Sequence, residues 1–240
     1  MTCRATAHVR GIVEAGSLGA LYHATFINTL RRSRTGIDWL TESAWFRNPK
    51  ISGGGVMMDW GPYDIAVLDE VFAPVRVTVN HAWTRSPVTG GPFREESLSV
   101  EQHVGASMTL ELRDGTMVEL TYERSAATHG EELSVVSVDG DLGSVTWSWL
   151  DWVPGGVRFT DADGDGSPRT VTRSFEEPPI GFHSRPLART LEAIAEHAEP
   201  TAINATSLFT FSWLRAVVEA ADAGSPVTVS RQDARTEAVR

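Results

Sequence analysis

The chain has 240 residues, of which 41% are hydrophobic, enough to build the core of one large or two small globular domains. Its formal net charge is -10, because 31 acidic side chains outnumber 21 basic ones. This excess of negative charge disfavours phosphate backbones and anionic lipid, so we expect neither nucleic acid nor a membrane as a partner. Cys3 is the single cysteine, which excludes an intrachain disulfide and a cluster of thiolate metal ligands.

The distribution of hydrophobic residues predicts a cytoplasmic protein. No apolar run reaches the roughly 18 residues that are needed to span a membrane. The N-terminus also lacks the apolar segment of a signal peptide, and a single cysteine fits a reducing compartment.

The first predicted element is a short helix over residues 7–15. Val9, Ile12 and Val13 recur at helical spacing and would pack on one side of it. Gly16 is expected to end this helix, which leads into the main domain.

Residues 21–29 alternate imperfectly between apolar and polar side chains, which predicts a strand. We interpret residues 31–52 as a long loop that crosses the face of the domain, because this stretch is polar and rich in turn residues. Its aromatic residues, Trp39, Trp45 and Phe46, favour a functional loop over a disordered one.

A central helix is predicted next, because apolar residues recur at helical spacing from residue 65 to residue 72. Pro62 lies near its start, and a proline inside a helix removes one backbone hydrogen bond. The helix therefore begins either near Asp59, with Pro62 in its first turn, or at Gly55 with a kink.

The chain beyond Pro74 is rich in alternating apolar and polar residues, which predicts strands. The predicted strand segments are residues 75–83, 106–126, 131–150, 156–160 and 169–175. The dipeptide Asp114-Gly115 and the stretch 138–143 are typical of hairpin turns. Successive hairpins predict a largely antiparallel sheet, with one packed face and one face open to solvent, ligand or a partner subunit.

Two helices are predicted to close the chain, at residues 183–198 and about 204–223. The second would bury an apolar stripe formed by Leu208, Phe211, Leu214, Val218 and Ala221. Residues from Arg231 onward are polar and are expected to be frayed. Together these elements predict an α+β fold.

Asp59 and Tyr63 form the acid/base pair that stands out in the sequence, within the stretch GGGVMMDWGPYD at residues 53–64. On one helix their Cβ atoms would lie about 5–6 Å apart on the same face, within reach of a common bound hydroxyl group. Taken alone, Asp59 is better explained as a helix cap. Tyr63, taken alone, is better explained as a core aromatic residue with a hydrogen-bonded hydroxyl.

Other side chains could line a ligand site near this pair. Trp45, Arg47 and Asn48 lie just before the glycines, where a tryptophan could stack on a sugar ring and the polar pair could reach its hydroxyls. A solvated loop with one buried anchor explains these residues equally well. His183 opens a predicted helix and could face the same cleft, although a hydrogen-bonded surface or core histidine is the better interpretation.

The sequence predicts no metal site. Asp161, Asp163 and Asp165 imitate the start of a calcium loop, but Thr172 stands where the bidentate glutamate belongs. An acidic hairpin turn is therefore the better interpretation of this stretch. The histidines are scattered without the spacing of metal ligands.

The chain resembles the C-terminal domain of the Gfo/Idh/MocA oxidoreductases. The resemblance runs from GIVEAGSLGALYHATF through AWFRNPKISGGGVMMDWGPYDIAVLDEVF to EAADAGSPVTV. Its most specific part is a succession of serine, glycine, aspartate and tyrosine residues at Ser52, Gly53, Gly54, Gly55, Asp59, Gly61 and Tyr63. The resemblance implies an open, largely antiparallel or mixed sheet with helices packed on one face. In the family this domain carries a sugar or cyclitol site and often provides a dimer contact.

By this resemblance, Asp59 matches the family's catalytic carboxylate and Tyr63 matches its acid/base residue. A phenol acts as a base at neutral pH only beside a positive charge. In the family that charge comes from a lysine of the preceding domain and from the nicotinamide. Ala66 stands where many members, including inositol dehydrogenases, have a substrate-contacting aspartate, which argues against a cyclitol substrate.

The resemblance implies NAD or NADP as the cofactor, but the sequence shows no fingerprint of the family's nucleotide-binding domain. Residues 16–19 follow a predicted helix, and residues 164–166 lie in an acidic turn, so neither glycine pair fits the strand–turn–helix that cradles a pyrophosphate. We therefore divide the chain into three parts. They are a leading helix at 1–16, left from the junction with the missing domain, a single domain at 17–230 and a polar tail at 231–240.

Two functional hypotheses result. The first is the substrate-binding and oligomerisation domain of an NAD(P)-dependent oxidoreductase that acts on a sugar or related polyol and is incomplete on its own. Its partners would be a second copy, bound through the sheet face, and a separately encoded nucleotide-binding domain. The alternative is a cofactor-free sugar-binding or assembly protein that keeps the fold without redox activity.

Overall fold

The structure, a computed structural model, describes residues 3–31, 45–46, 48–87, 100–150, 156–175, 188, 191–192, 194–196 and 200–231. The helices with described bounds are α1 (Arg4–Glu14), α2 (Pro49–Ser52), α3 (Val56–Asp59), α4 (Gly61–Phe72) and α5 (Pro200–Ala223). Residues 188, 191–192 and 194–195 are also helical, in agreement with the helix predicted at 183–198. None of the described helices is both long and apolar enough to cross a membrane.

The strands of the described residues form one nine-stranded sheet. In chain order they are β1 (Leu21–Thr29), β2 (Arg76–Arg85), β3 (His103–Glu111), β4 (Met117–Ser125), β5 (Leu133–Gly140), β6 (Gly143–Trp147), β7 (Val157–Ala162), β8 (Pro168–Arg173) and β9 (Val227–Ser230). Across the sheet their order is β8-β7-β6-β5-β1-β4-β3-β2-β9. The pair β1 and β4 is parallel, whereas every other neighbouring pair is antiparallel. The predicted α+β fold with an open, largely antiparallel sheet is confirmed.

One face of the sheet is covered by helices and contains the hydrophobic core. The register places Phe26 of β1 opposite Tyr122 of β4 and Val136 of β5, and all three are buried. Ile65 of α4 and Trp213 of α5 belong to the same buried cluster. Removal of this apolar surface from water is the main force that holds the helices to the sheet.

The other face of the sheet carries polar and charged side chains, among them His23 of β1 and Glu119 and Glu123 of β4. Thr25 of β1 lies opposite Thr121 of β4 and Ser137 of β5 on this face. Leu133 and Val135 of β5 add apolar side chains that are 45% and 42% exposed. We call this side of the sheet the open face.

The first two predicted elements are confirmed. α1 begins at Arg4, earlier than the predicted residue 7, and Gly16 follows its end with a left-handed φ of 66°. β1 covers the predicted residues 21–29.

The interpretation of residues 31–52 as a loop is wrong at its end, where α2 forms. The side chain of Asn48 caps this helix, because its Oδ1 accepts a hydrogen bond from Lys50 N at 3.1 Å. Residues 32–44 lie outside the described residues, as does most of the helix predicted at 183–198.

The central helix begins in the first of the two predicted ways. α4 starts at Gly61, so Pro62 lies in its first turn, where a proline removes no intrahelical hydrogen bond. The helix ends at Ala73, which has a left-handed φ of 42°.

Both predicted hairpin turns are confirmed. Gly115 adopts a left-handed φ of 89°, and Thr116 N donates a hydrogen bond to Asp114 Oδ1 at 3.0 Å. The turn between β5 and β6 falls within the predicted residues 138–143.

The buried stripe of α5 differs from the predicted one. Leu214 is buried as expected, but Phe211 is 51% exposed, so its assignment to the stripe is wrong. The buried side chains are Phe209, Trp213, Leu214, Ala216, Val217 and Ala220. At 3.6 residues per turn, position 211 lies about 200° around the helix from position 209 and faces away from the core.

The expectation of a frayed chain from residue 231 is wrong at Arg231 itself. Its guanidinium donates to Pro74 O at 3.0 Å, pairs with Asp69 and lies 4.2 Å from the ring centroid of Phe209. Residues 232–240 lie outside the described residues. Arg231 therefore anchors the end of β9, a strand that was not predicted.

Candidate active site

The glycines before α3 have backbone reasons to be glycine. Gly53 ends α2 with a left-handed φ of 78°. Gly55 lies so close to the segment before β3 that an added Cβ would sit 1.8 Å from the carbonyl oxygen of Glu101. Any larger residue at position 55 must therefore push the two backbone segments apart.

Glu101 clamps the start of α3. Its carboxylate accepts hydrogen bonds from Gly55 N at 2.7 Å and from Met57 N at 3.1 Å, and its carbonyl accepts one from Val56 N at 2.9 Å. The clamp satisfies backbone N–H groups that a helix start leaves without partners. Sequence reasoning missed Glu101, because 46 residues separate it from Gly55 and no local pattern marks it.

Gly55→Ala is expected to lower the free energy of unfolding by about 2–3 kcal/mol, because the new methyl group must displace the Glu101 backbone. Gly11→Ala is the matched control. Gly11 lies inside α1 with no atom within 4 Å of an added Cβ, so its replacement should raise stability by about 0.5–1 kcal/mol. Urea unfolding of both variants checks the contrast. Equal effects at the two positions would contradict the close approach at Gly55.

Asp59 and Tyr63 lie on two helical segments in direct succession. Asp59 is the last residue of α3, and Trp60, with φ -100° and ψ -28°, joins it to α4. The amide of Tyr63 donates to Trp60 O at 3.0 Å. The backbone from Asp59 to Tyr63 is thus close to helical, while Asp59 is half-buried and Tyr63 is 43% exposed.

Tyr63 lines a cavity of about 240 Å³. The other lining residues are Cys3, Pro62, Ala66, Val67, Trp149 and Leu150. The ring of Tyr63 also lies 5.9 Å from that of Trp60, at a tilt of 55°. Tyr63 is therefore a partly exposed side chain at the edge of a cavity, whereas Asp59 is not among the residues that line it.

A fully buried ion pair lies next to Tyr63 along α4. Arg124 of β4 donates from Nε to Asp64 Oδ2 at 2.8 Å and from Nη2 to Asp64 Oδ1. The hydroxyl of Tyr122 donates to Asp64 Oδ2 at 2.9 Å. Asp64 is 0% and Arg124 is 1% exposed, so the pair is shielded from solvent screening.

Three aromatic rings surround the guanidinium of Arg124. Its central carbon lies 5.8 Å from the ring centroid of Phe26, 5.2 Å from that of Trp60 and 5.5 Å from that of Trp149. Contacts of this length between a cation and an aromatic face are attractive. Trp60 packs against Tyr63, and Trp149 lines the cavity. The buried ion pair therefore contacts two aromatic residues that adjoin the candidate site.

Burial governs the titration of this cluster. Loss of hydration raises the pKa of Asp64 above its usual value, although the Arg124 guanidinium acts in the opposite direction. Burial also raises the pKa of the Tyr122 hydroxyl well above its usual value, and the Asp64 carboxylate adds to the shift. Tyr122 therefore serves as a hydrogen-bond donor to the pair.

The other predicted ligand residues do not gather at Tyr63. Trp45 is 46% exposed and stacks on Phe46, with ring centroids 3.9 Å apart. Asn48 is exposed and caps α2, and neither Trp45 nor Asn48 is among the residues that line the cavity. Arg47 and His183 lie outside the described residues.

The acidic stretch after β7 is the hairpin turn that the sequence favoured. Asp161 accepts a hydrogen bond from Arg169 Nε at 2.9 Å, and Gly166 N donates to Asp163 O at 2.8 Å. Among the described residues, no group of three or more His, Cys, Asp or Glu side chains is arranged to hold a metal ion.

The described glycines do not form a cradle for a dinucleotide. Gly16 and Gly19 connect α1 to β1, and Gly164 and Gly166 lie at the tip between β7 and β8. A pyrophosphate cradle needs a strand followed by glycines that open a helix. These residues therefore do not fit a nicotinamide dinucleotide.

The decisive comparison is with families of known proteins. A family model described as the GFO/IDH/MocA C-terminal domain matches residues 6–159. The chain belongs to the GFO/IDH/MocA oxidoreductase family. No curated protein sequence gives a significant match.

Solved structures share the fold of this GFO/IDH/MocA domain. An aldose–aldose oxidoreductase from Caulobacter crescentus, complexed with glycerol, matches with a TM-score of 0.65 at 19% identity, over 93% of this chain and 60% of that one. Levoglucosan dehydrogenase in complex with NADH and levoglucosan matches with a TM-score of 0.63 at 17% identity, over 94% and 64% of the two chains. An inositol dehydrogenase homologue from Azotobacter vinelandii, complexed with NAD+, matches with a TM-score of 0.61 at 16% identity, over 94% and 61%. The GFO/IDH/MocA domain described here thus spans less than two thirds of the length of these oxidoreductases.

Proposed function

We propose that this domain binds the substrate of an NAD(P)-dependent oxidoreductase that acts on a sugar or related polyol, with Tyr63 as the acid/base residue. The observation that supports the proposal is the position of Tyr63, a partly exposed side chain that lines a cavity from the first turn of α4. Asp59 ends the preceding helix on the same nearly helical stretch of backbone.

The proposal gives roles to Tyr63, to Asp59 and to the apolar walls of the cavity. Tyr63 would act as the phenolate, stabilised by a positive charge supplied from outside this chain. The hydroxyl group that is to be oxidised donates a hydrogen bond to the phenolate oxygen and passes its proton there as the carbonyl forms. Asp59 orients the hydroxyl group or tunes the phenol. The apolar walls of the cavity exclude water from the reacting carbon.

A nicotinamide held outside this chain would accept the hydride from the same carbon. The oxidoreductases that match the fold leave more than a third of their own length unmatched, which is room for a nucleotide-binding domain. The test is to supply this domain, in the full-length protein or as a separately encoded chain. Sugar-dependent reduction of NAD+ or NADP+ should then appear. No reduction with any sugar or polyol would favour the alternative, a cofactor-free binding or assembly protein, which is supported by the lack of a dinucleotide cradle among the described glycines.

Self-association through the open face is part of the proposal. Leu133 and Val135 are large apolar side chains that an interface would cover. We expect sedimentation of the purified chain to show a dimer, and Val135→Lys to convert it to a monomer by placing an unpaired charge in the interface. Val171→Lys on edge strand β8, where the side chain is 56% exposed, is the matched control and should leave the dimer intact. A monomeric parent protein would contradict this part of the proposal.

A further inference from the structure

We propose that the cavity beside Tyr63 receives an apolar substituent of the substrate, so that the preferred substrate is an alkyl or aryl glycoside and not the free sugar. This inference rests on the proposed function and narrows it to a substrate class. It is drawn from the chemistry of the cavity walls, the size of the cavity and the charges around it.

The walls of the cavity are almost entirely hydrocarbon. The polar groups on the lining side chains are the phenol of Tyr63, the thiol of Cys3 and the indole N–H of Trp149, which is buried without a hydrogen-bond partner among the described residues, while Pro62, Ala66, Val67 and Leu150 are purely hydrocarbon. The thiol of Cys3 is directed to the backbone, with Sγ 3.9 Å from Ser148 O. A sugar hydroxyl placed against these walls would lose its water and find few partners, which is unfavourable.

Ala66 has a particular part in this chemistry. It lies one helical turn after Tyr63 and lines the cavity. A carboxylate at this position could accept a hydrogen bond from a substrate hydroxyl, whereas a methyl group offers only an apolar contact. The wall nearest the acid/base residue therefore selects a hydrocarbon group.

The size of the cavity fits a group as large as an aromatic ring. An apolar protein cavity of about 150 Å³ accommodates benzene, and this cavity measures about 240 Å³. Sites for whole drug-sized ligands are larger, at about 300–1,000 Å³. The cavity thus accommodates one part of a substrate, and the sugar ring would remain at its mouth near the Tyr63 hydroxyl.

The nearest buried charge does not make the cavity polar. Arg124 lies 5.5 Å from the ring centroid of Trp149, but its guanidinium is paired with Asp64 on two nitrogens. Trp149 lines the cavity, whereas Arg124 and Asp64 are not among its lining residues. A neutral apolar group is therefore the ligand that these surroundings favour.

The test compares glycosides with their parent sugars on the 240-residue chain. Phenyl and methyl β-D-glucopyranoside are titrated against D-glucose, and the corresponding galactosides against D-galactose, with tryptophan fluorescence and calorimetry as readouts. In at least one series the phenyl glycoside should bind about 10-fold or more tightly than the free sugar, the scale of one or two added hydrocarbon groups in a fitted pocket. Equal affinities in both series, or no binding by any glycoside at millimolar concentration, would overturn the proposal.

A pair of variants locates the effect. Ala66→Asp puts a charge on the cavity wall and should weaken phenyl glycoside binding about 10-fold or more, while the affinity for the free sugar is unchanged or improved. Ala223→Asp makes the same change at the exposed end of α5 and should alter neither affinity. If Ala66→Asp leaves phenyl glycoside binding unchanged, the apolar group does not occupy this cavity.

The outcomes separate this inference from the proposed function. Tight glycoside binding by a protein that never reduces NAD+ or NADP+ would support the cavity assignment and reject the redox function. Turnover of free sugars with no advantage for glycosides would support the redox function and reject the cavity assignment.

Discussion

Arg124→Met is expected to lower the free energy of unfolding by about 3–5 kcal/mol, because it leaves the carboxylate of Asp64 buried without its partner. The side chain of methionine fills a similar volume, so the loss comes from charge and hydrogen bonding and not from an empty space. The contacts of the guanidinium with Phe26, Trp60 and Trp149 are lost as well. Urea unfolding at pH 7 measures the change.

The double variant Asp64→Leu with Arg124→Met is the control. It removes both charges, and replacement of a buried ion pair by apolar groups is often neutral or stabilising. We therefore expect it to recover most of the stability that the single variant loses. A double variant that is no more stable than Arg124→Met would contradict the account, in which the loss comes from the unpaired carboxylate of Asp64.

The pH dependence of the single variant provides a second check. Burial raises the pKa of Asp64, so the folded protein binds this proton more tightly than the unfolded chain does. The contribution of Asp64 to stability is therefore greatest at low pH and is lost as pH rises through the raised folded pKa. Without Arg124 the pKa rises further. The deficit of Arg124→Met relative to the parent should thus shrink as pH falls through the pKa of Asp64 in the variant and level off below the raised pKa of Asp64 in the parent.

Local sequence patterns predicted the parts of the fold that depend on local physics. The alternation of apolar and polar residues at 21–29 predicted both ends of β1. The dipeptide Asp114-Gly115 predicted a hairpin, because its turn needs a residue with positive φ. β9 was missed because Val227–Ser230 has only four residues and gains its strand form by pairing with β2. Its neighbour Arg231 was expected to fray for the same reason, since its anchor at Asp69 lies 162 residues away.

The sequence pointed to Tyr63 and Asp59 as candidate site residues, but it did not point to the residues that support them. Tyr63 and Asp59 could be singled out from residue type and spacing, and the glycines from their succession. The supporting groups, Glu101 and Arg124, reach the site through contacts between residues 46 and 60 positions apart. One signal was available for Arg124, because it continues the alternation of buried positions at 118, 120 and 122 of β4. A charged residue in a core register indicates a buried partner.

The central proposal is that Tyr63 accepts the proton of a substrate hydroxyl group. General acid–base groups contribute about 10²–10⁴-fold to rate, so Tyr63→Phe should lower kcat/KM by about 10²-fold or more. The change removes one oxygen from a side chain that is 43% exposed, so stability should be little altered. A normal unfolding transition for the variant would attribute the lost rate to chemistry.

Tyr22→Phe is the matched control. Tyr22 lies on β1, its side chain is 57% exposed, and it does not line the cavity. The decisive measurement is kcat/KM for the parent protein, Tyr63→Phe and Tyr22→Phe, with the nucleotide-binding domain supplied and the same sugar or glycoside. The account predicts a loss of about 10²-fold or more for Tyr63→Phe alone. Equal rates for all three proteins would contradict it and remove Tyr63 from the mechanism.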